Sequence, residues 1–104
     1  MKANRLNKGD WYFFIQPSTL LPVATRDWYF DSDDQRYFDE NYFITREAVN
    51  ACAQALVPIA SQIRELRAKA KDPLLTDEQR RAIADDIDAQ RDAAESIIAD
   101  SNKE

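Results

Sequence analysis

The sequence predicts an α+β fold, in which a small antiparallel β-sheet of two or three strands is followed by a long antiparallel α-helical hairpin. Two observations lead to this prediction. All eleven aromatic residues lie between Trp11 and Phe43, whereas the chain after Ala48 is rich in alanine, isoleucine, leucine and charged residues. Aromatic residues favour strands, and apolar residues at helical spacing indicate helices.

The length of 104 residues fits one domain. Within this single domain, 1–104, we expect an aromatic β-rich part over residues 10–44, a first helix over residues 45–71 and a second helix over residues 76–100.

The β-rich part contains three candidate strands. Residues 10–16 form a run of aromatic and β-branched side chains that ends at Pro17. Residues 23–25 are predicted to form a short second strand. Residues 27–31 repeat the Asp-Trp-Tyr-Phe of the first run, so we expect them to form a strand that pairs antiparallel with it. Residues 31–36 then read as a polar, acidic loop, which lacks the glycine and glutamate that a calcium-binding loop requires.

The first helix is predicted by an N-cap and a heptad pattern. Thr45 is a favourable N-cap residue. Pro58 lies inside the pattern and is expected to bend the helix. The apolar positions alternate at spacings of three and four; they are Val49, Cys52, Leu56, Ile59, Ile63, Leu66 and Ala70.

The second helix begins with a capping box formed by Thr76 and Gln79. Because the connection after Asp72-Pro73 is short, the two helices are expected to be antiparallel. The second apolar seam is thinner than the first, since it has Gln90 and Ala94 in its middle. The surplus apolar surface of the first helix predicts a homodimer.

Composition limits the chemistry that the chain can perform. There is no histidine, and the only cysteine, Cys52, lies on the apolar seam and is expected to be a core residue. We therefore predict no enzymatic activity, no cofactor and no metal. Asp85, Asp88 and Asp92 share a helix face that could bind a divalent ion weakly, but a solvated acidic face is the favoured interpretation.

Charge and hydropathy indicate where the protein acts. The formal net charge of −5 disfavours direct binding to nucleic acid. No apolar run approaches the roughly 20 residues of a membrane span. A single cysteine fits a reducing compartment, so we predict a cytoplasmic protein that does not bind membranes.

Two groups of residues are candidates for interaction. The first consists of tyrosines expected to be exposed beside acidic residues, which are typical of protein interfaces. The second is a basic cluster at the tip of the hairpin, which could bind a small anion or an acidic partner, or could form salt bridges with Glu65, Asp77 and Glu78. The first group is Tyr12, Tyr29, Asp31, Asp33, Asp34 and Tyr37, and the second is Arg64, Arg67, Arg80 and Arg81.

One motif of the sequence extends from the second Trp-Tyr pair to the start of the first helix. Its residues are Trp28-Tyr29, Asp31, Asp33, Asp34, Arg36, Asn41, Phe43, Thr45 and Ala48. The motif resembles that of a widespread class of small bacteriophage-encoded proteins, and the resemblance covers about residues 10–56. The class usually has glycine before the position of Asn41 and two glutamates before that of Ala48, where this chain has Glu40 and Arg46-Glu47.

The resemblance implies a phage or prophage origin rather than a mechanism, because most members of the class have unknown function. Phage proteins of this size include anti-CRISPR proteins and sponges for immune signalling nucleotides. We therefore expect a non-catalytic protein that inhibits a bacterial immune protein, such as a CRISPR effector, in the host cytoplasm. The alternatives are a sponge for a small nucleotide signal and a structural protein that oligomerises through its hairpin.

Overall fold

The computed structural model describes residues 5–102, and these residues form two strands followed by three helices. The predicted α+β class and helical hairpin are confirmed. In chain order the elements are β1 (Trp11–Ile15), β2 (Pro22–Arg26), α1 (Asp31–Phe38), α2 (Arg46–Ala70) and α3 (Asp77–Ser101).

Strands β1 and β2 form an antiparallel pair in which Trp11 lies opposite Arg26 and Ile15 opposite Pro22. The connecting loop closes when the amide of Leu20 donates to the carbonyl of Gln16 over 2.7 Å. Both strands lie where the sequence predicts them, because each is a short run bounded by proline or polar residues.

The predicted third strand over residues 27–31 is wrong, and so is the polar loop over residues 31–36. After β2 the chain leaves the sheet, and Asp31–Phe38 form helix α1. The cause is side-chain hydrogen bonding, since the carboxylates of Asp27 and Asp33 accept from the backbone amides of residues 28–30 and turn the chain. This local pairing overrides the β-propensity of the aromatic side chains.

The second edge of β1 is covered by the segment that leads into the hairpin. The side-chain amide of Asn41 donates to the carbonyl of Ile15 over 2.8 Å, and its oxygen accepts from the Ile15 amide over 2.8 Å. Two residues later, Phe43 and Phe13 exchange both backbone hydrogen bonds. Asn41 and Phe43 therefore anchor the chain to the sheet just before α2 begins.

Adjacent residues of this anchor point into two different cores. Phe43 is buried with Ile15 and with Val49 of α2 in the core that joins the sheet to the hairpin. Tyr42 is buried on the opposite side of the sheet with Tyr12 and Phe14. Both faces of β1 thus contribute side chains to a core, and only Trp11 at its start is exposed.

Helices α2 and α3 pack together along the predicted seams. Thr45 caps α2 by accepting from the amide of Ala48 over 3.2 Å, and Thr76 with Gln79 forms the predicted capping box of α3. Pro58 lies inside α2 without ending it. Between residues 5 and 102, no helix has both the length and the hydropathy needed to cross a membrane. The buried seam residues of α2 are Val49, Cys52, Leu56, Ile63 and Leu66.

The far end of α3 returns to the anchor segment. The side-chain amide of Asn102 donates to the carbonyl of Tyr42 over 2.8 Å and also to the carbonyl of Glu40. Glu40 has φ of 63°, in the left-handed region that favours glycine. The hairpin is therefore attached to the sheet at both of its ends.

We expect Phe43→Ala to lower the free energy of unfolding by about 3–5 kcal/mol, because it removes a buried ring where the sheet meets the hairpin. Chemical denaturation followed by circular dichroism measures this change. Phe38→Ala is the matched control, since the Phe38 side chain is exposed, and it is expected to cost less than about 1 kcal/mol. A loss below about 1 kcal/mol for Phe43→Ala would show that the joint is not packed.

Candidate functional site

The candidate functional site is the loop of residues 27–30 with the side chains around it. Its first component is a buried ion pair below this loop. The Asp27 carboxylate is fully buried and accepts two hydrogen bonds of 2.9 Å from the guanidinium of Arg5. It also accepts from the hydroxyl of Tyr42 over 2.7 Å and from the amide of Tyr29 over 3.1 Å. Four donors thus satisfy one carboxylate, which offsets the cost of burying its charge.

A second buried carboxylate lies on the other side of the same loop. Asp33 is 2% exposed and accepts from the hydroxyl of Tyr12 over 2.7 Å. Its other oxygen accepts from the amides of Trp28 and Phe30, at 3.0 and 3.2 Å. Arg36 donates to the Tyr12 hydroxyl over 2.9 Å and thereby completes the cluster. Asp33 therefore fixes the loop and caps the start of α1 at the same time.

Two stacked rings connect these clusters. Tyr12 and Tyr42 stack with their centroids 4.2 Å apart. Burial and the hydrogen bond to Asp33 raise the pKa of Tyr12 to about 12, and burial with the hydrogen bond to Asp27 raises the pKa of Tyr42. Both phenols therefore remain neutral donors at neutral pH, which is what their carboxylate partners require.

Asp27 and Arg5 stabilise each other's ionised form. Burial by itself would raise the pKa of Asp27, but the hydrogen bonds from Arg5, Tyr42 and the Tyr29 amide outweigh it and lower that pKa. In return, the hydrogen bond to Asp27 raises the pKa of Arg5. The pair is ionised throughout the neutral range.

Four aromatic side chains near these clusters are exposed to solvent, three on the loop after Asp27 and one at the start of β1. We name Trp11, Trp28, Tyr29 and Phe30 the aromatic surface. Their exposed fractions are 55%, 41%, 45% and 64%. Arg26 connects the two tryptophans, because its guanidinium lies 5.0 Å from the Trp11 ring centre and 5.9 Å from that of Trp28. Tyr29 has φ of 60°, so the loop holds a non-glycine residue in the left-handed region.

Some of the tyrosine and aspartate residues predicted for interaction are exposed, and others are buried in the clusters beneath the loop. Tyr29 and Asp31 are exposed at the aromatic surface, and Asp34 lies beside them, half-buried and 2.7 Å from Arg5. The expectation that Tyr12 and Asp33 are exposed is wrong, because both are buried within the supporting clusters. Tyr37 is half-buried against Tyr42.

The predicted arginines lie in two different places. Arg64 and Arg67 line a groove of about 590 Å³ between the β1–β2 loop and the hairpin, together with Arg91 of α3. Arg80 and Arg81 are not part of this lining. Arg80 instead donates to the carbonyl of Asp72 over 3.2 Å and lies 3.9 Å from the carboxylate of Asp77, one of the predicted salt-bridge partners.

Cys52 and the acidic side chains are the remaining candidates for chemistry in the described part of the chain. Cys52 is buried on the seam of α2, and burial raises the pKa of its thiol, which disfavours the thiolate. Over residues 5–102, no group of three or more cysteine and carboxylate side chains is arranged to hold a metal ion.

Sequence reasoning missed several residues of these surfaces. Trp11, Trp28 and Phe30 were expected inside a sheet, so their exposure was not foreseen. Arg5 precedes the first strand and has no sequence signal that links it to Asp27. Aspartate is common in turns because its side chain accepts from the amide two residues later, but this preference alone does not select Asp27 among the aspartates of the chain. Arg91 could be placed near Arg64 only by the antiparallel packing of α2 and α3.

The chain was compared with protein-family models, with curated protein sequences and with solved structures, and nothing matches it. The likeness to small bacteriophage proteins therefore stays a prediction from the residues that carry it. Function must be inferred from the geometry and charge of the surfaces themselves.

Asp27→Asn is expected to lower the free energy of unfolding by about 3 kcal/mol at pH 7, because Arg5 loses its buried counter-charge. Urea denaturation measures this loss. Since the folded pKa of Asp27 is lowered, its contribution is complete above the unfolded pKa of about 3.9 and is lost as pH falls below that value through the folded pKa.

The difference in stability between the wild-type protein and Asp27→Asn should accordingly shrink as the pH falls below about 4. Asp31→Asn serves as the control, since Asp31 is exposed in the first turn of α1, and it is expected to cost less than about 1 kcal/mol. Equal losses for the two variants, or a difference independent of pH, would contradict the assigned role of Asp27.

Proposed function

We propose that this chain is a non-catalytic binding protein of bacteriophage origin that inhibits a host immune protein, such as a CRISPR effector, in the bacterial cytoplasm. The aromatic surface is the contact region in this proposal. The single observation that carries it is the exposure of Trp11, Trp28, Tyr29 and Phe30 above a fully hydrogen-bonded support.

Exposed aromatic side chains cost free energy in water and are the residue type that dominates binding energy at protein interfaces. Three of the four, Trp28, Tyr29 and Phe30, lie on a loop that is held in place before any partner arrives, and Trp11 lies at the start of β1. Asp27 and Asp33 bind three consecutive backbone amides of the loop, from Trp28 to Phe30. A loop that is already ordered loses little conformational entropy on binding, so more of the contact energy is available as affinity.

The surrounding charge suggests what kind of site the protein covers. The chain has a formal net charge of −5, and Asp31 lies next to the aromatic surface, where Asp34 is paired with Arg5 and Arg26 adds one positive charge between the tryptophans. Many immune proteins bind nucleic acid through basic clefts, and an acidic inhibitor is steered towards such clefts. We infer that the inhibitor occupies a site meant for nucleic acid.

The nucleotide-sponge alternative needs aromatic rings for base stacking next to arginines for the phosphates. Arg64, Arg67 and Arg91 line the groove, but no aromatic side chain of the described residues lines it. The aromatic surface is therefore separate from these three arginines, and Arg26 is the cation that lies between its tryptophans. The separation of the three arginines from the rings favours protein binding as the primary proposal.

The assembly alternative rests on apolar surface that the hairpin leaves exposed. Leu74, in the turn after α2, is 88% exposed. We propose a homodimer, because apolar surface of this kind is stabilised when a second copy covers it.

Light scattering at micromolar concentration is expected to give about 24 kDa, which is twice the chain mass of 12.0 kDa. A mass near 12.0 kDa would exclude the dimer. Larger assemblies that grow with concentration would favour the structural alternative instead.

The contact role of the aromatic surface is tested by the double substitution of Trp28→Ala and Phe30→Ala. Both side chains are exposed, so the fold should be retained while binding to a purified CRISPR effector, and protection of a targeted phage, weakens at least about a hundredfold. Binding is measured by calorimetry and protection by plaque counts.

Phe38→Ala is the matched control, because it removes an exposed aromatic ring that is not part of the aromatic surface. It should bind like the wild-type protein. If the double variant binds a responsive effector as tightly as Phe38→Ala does, the aromatic surface is not the contact region. If no immune protein binds the wild-type protein, the proposed function fails.

A further inference from the structure

A groove between the β1–β2 loop, residues 17–21, and the helical hairpin is a candidate for a second binding site. Its volume is about 590 Å³. Sites for small molecules typically measure about 300–1,000 Å³. The groove is therefore large enough for a ligand, and it shares no residue with the aromatic surface.

The wall of the groove is aliphatic. Leu21 and Val57 line it while 59% and 57% of their surface remains exposed, and Leu20 and Ile63 lie below. None of the described residues that line it is aromatic. Such a wall fits an alkyl chain, whose burial would contribute about 0.8 kcal/mol per methylene group, better than it fits a planar base.

The polar part of the groove is cationic. Arg64 and Arg67 come from α2 and Arg91 from α3. Within residues 5–102, none of the three forms an ion pair with a carboxylate; Arg64 only donates to the neutral hydroxyl of Ser61 over 3.2 Å. Arg64, Arg67 and Arg91 are solvent-exposed and bring three positive charges to one groove, although the chain as a whole has a net charge of −5. An anion in this groove would be attracted to them, and arginine binds carboxylates and phosphates with two hydrogen bonds at once.

The rim of the groove is built by a conformation that costs energy. Leu20 has φ of 56°, in the left-handed region that a branched side chain disfavours. This conformation buries Leu20 and leaves the neighbouring Leu21 at the groove. The loop thus presents an apolar side chain in the same groove as the three arginines.

We propose that this groove binds a small amphipathic anion, with its alkyl chain against Leu21 and Val57 and its anionic head group on Arg64, Arg67 and Arg91. This site is independent of the proposed inhibition of an immune protein, since it uses different residues. It gives the protein a second, small-molecule ligand.

Calorimetry on the purified full chain tests the proposal with octyl phosphate and octanoate, both below their critical micelle concentrations. At least one of them should bind, and the stronger one identifies the head group. Inorganic phosphate and octanol should each bind at least about tenfold more weakly, because each lacks one half of the ligand.

The variant that carries Arg64→Gln and Arg91→Gln should bind the same probe at least about tenfold more weakly. Arg80→Gln with Arg81→Gln is the matched control, because it removes the same charge at the hairpin turn outside the groove, and it should bind like the wild-type protein. Circular dichroism checks that both variants remain folded. If the groove variant does not fold, Val57→Asn, an exposed position on the wall, replaces it and should weaken binding of the alkyl anion alone.

Three results would overturn the proposal. The first is that neither alkyl anion binds at concentrations up to about 1 mM. The second is that the groove variant and the control lose equal affinity, which would indicate general charge attraction. The third is that inorganic phosphate binds as tightly as octyl phosphate, which would leave the aliphatic wall without a role.

Discussion

The buried carboxylates of Asp27 and Asp33 are the interaction on which the sheet end of this protein depends. Each accepts from backbone amides of one short loop and from a tyrosine hydroxyl of the core. A buried charge is tolerated only when its partners are complete, so neither aspartate can lose a partner without cost. The loop conformation, the stacking of Tyr12 on Tyr42 and the start of α1 are therefore set together.

The parts of the fold that sequence predicts well are those whose signals are local. Thr45, Thr76 and the alternating apolar positions of α2 specify helix starts and faces within a few residues, and the hairpin follows from them. Residues 27–38 could not be predicted in the same way. Their conformation depends on Asp27 meeting Arg5 and on Asp33 meeting Tyr12, which lie 22 and 21 residues away. The exposure of the aromatic surface could not be predicted for the same reason. The groove could not be predicted because Arg91 of α3 approaches Arg64 and Arg67 only when the hairpin has formed.

The two surfaces of the molecule differ in chemistry and in support. Three side chains of the aromatic surface lie on a loop whose backbone amides are bound by buried side chains, and Trp11 lies at the start of β1. All four rings are exposed, so they can change with little effect on the core. The groove is carried by helices and by the β1–β2 loop, and its arginines have no carboxylate partner among residues 5–102. Substitutions that separate binding from stability are therefore available at both surfaces.

The bond from Asn102 to the backbone of Tyr42 has a consequence for how such a protein can vary in length. Helices α2 and α3 each span 25 residues, and both begin or end beside the same anchor segment. A deletion in one helix alone would pull Asn102 away from that segment or shift the two seams against each other. Equal insertions of whole heptads in both helices next to the turn would keep the seams aligned and Asn102 in place. The hairpin can thus be lengthened or shortened by equal changes in both helices without a change in the sheet.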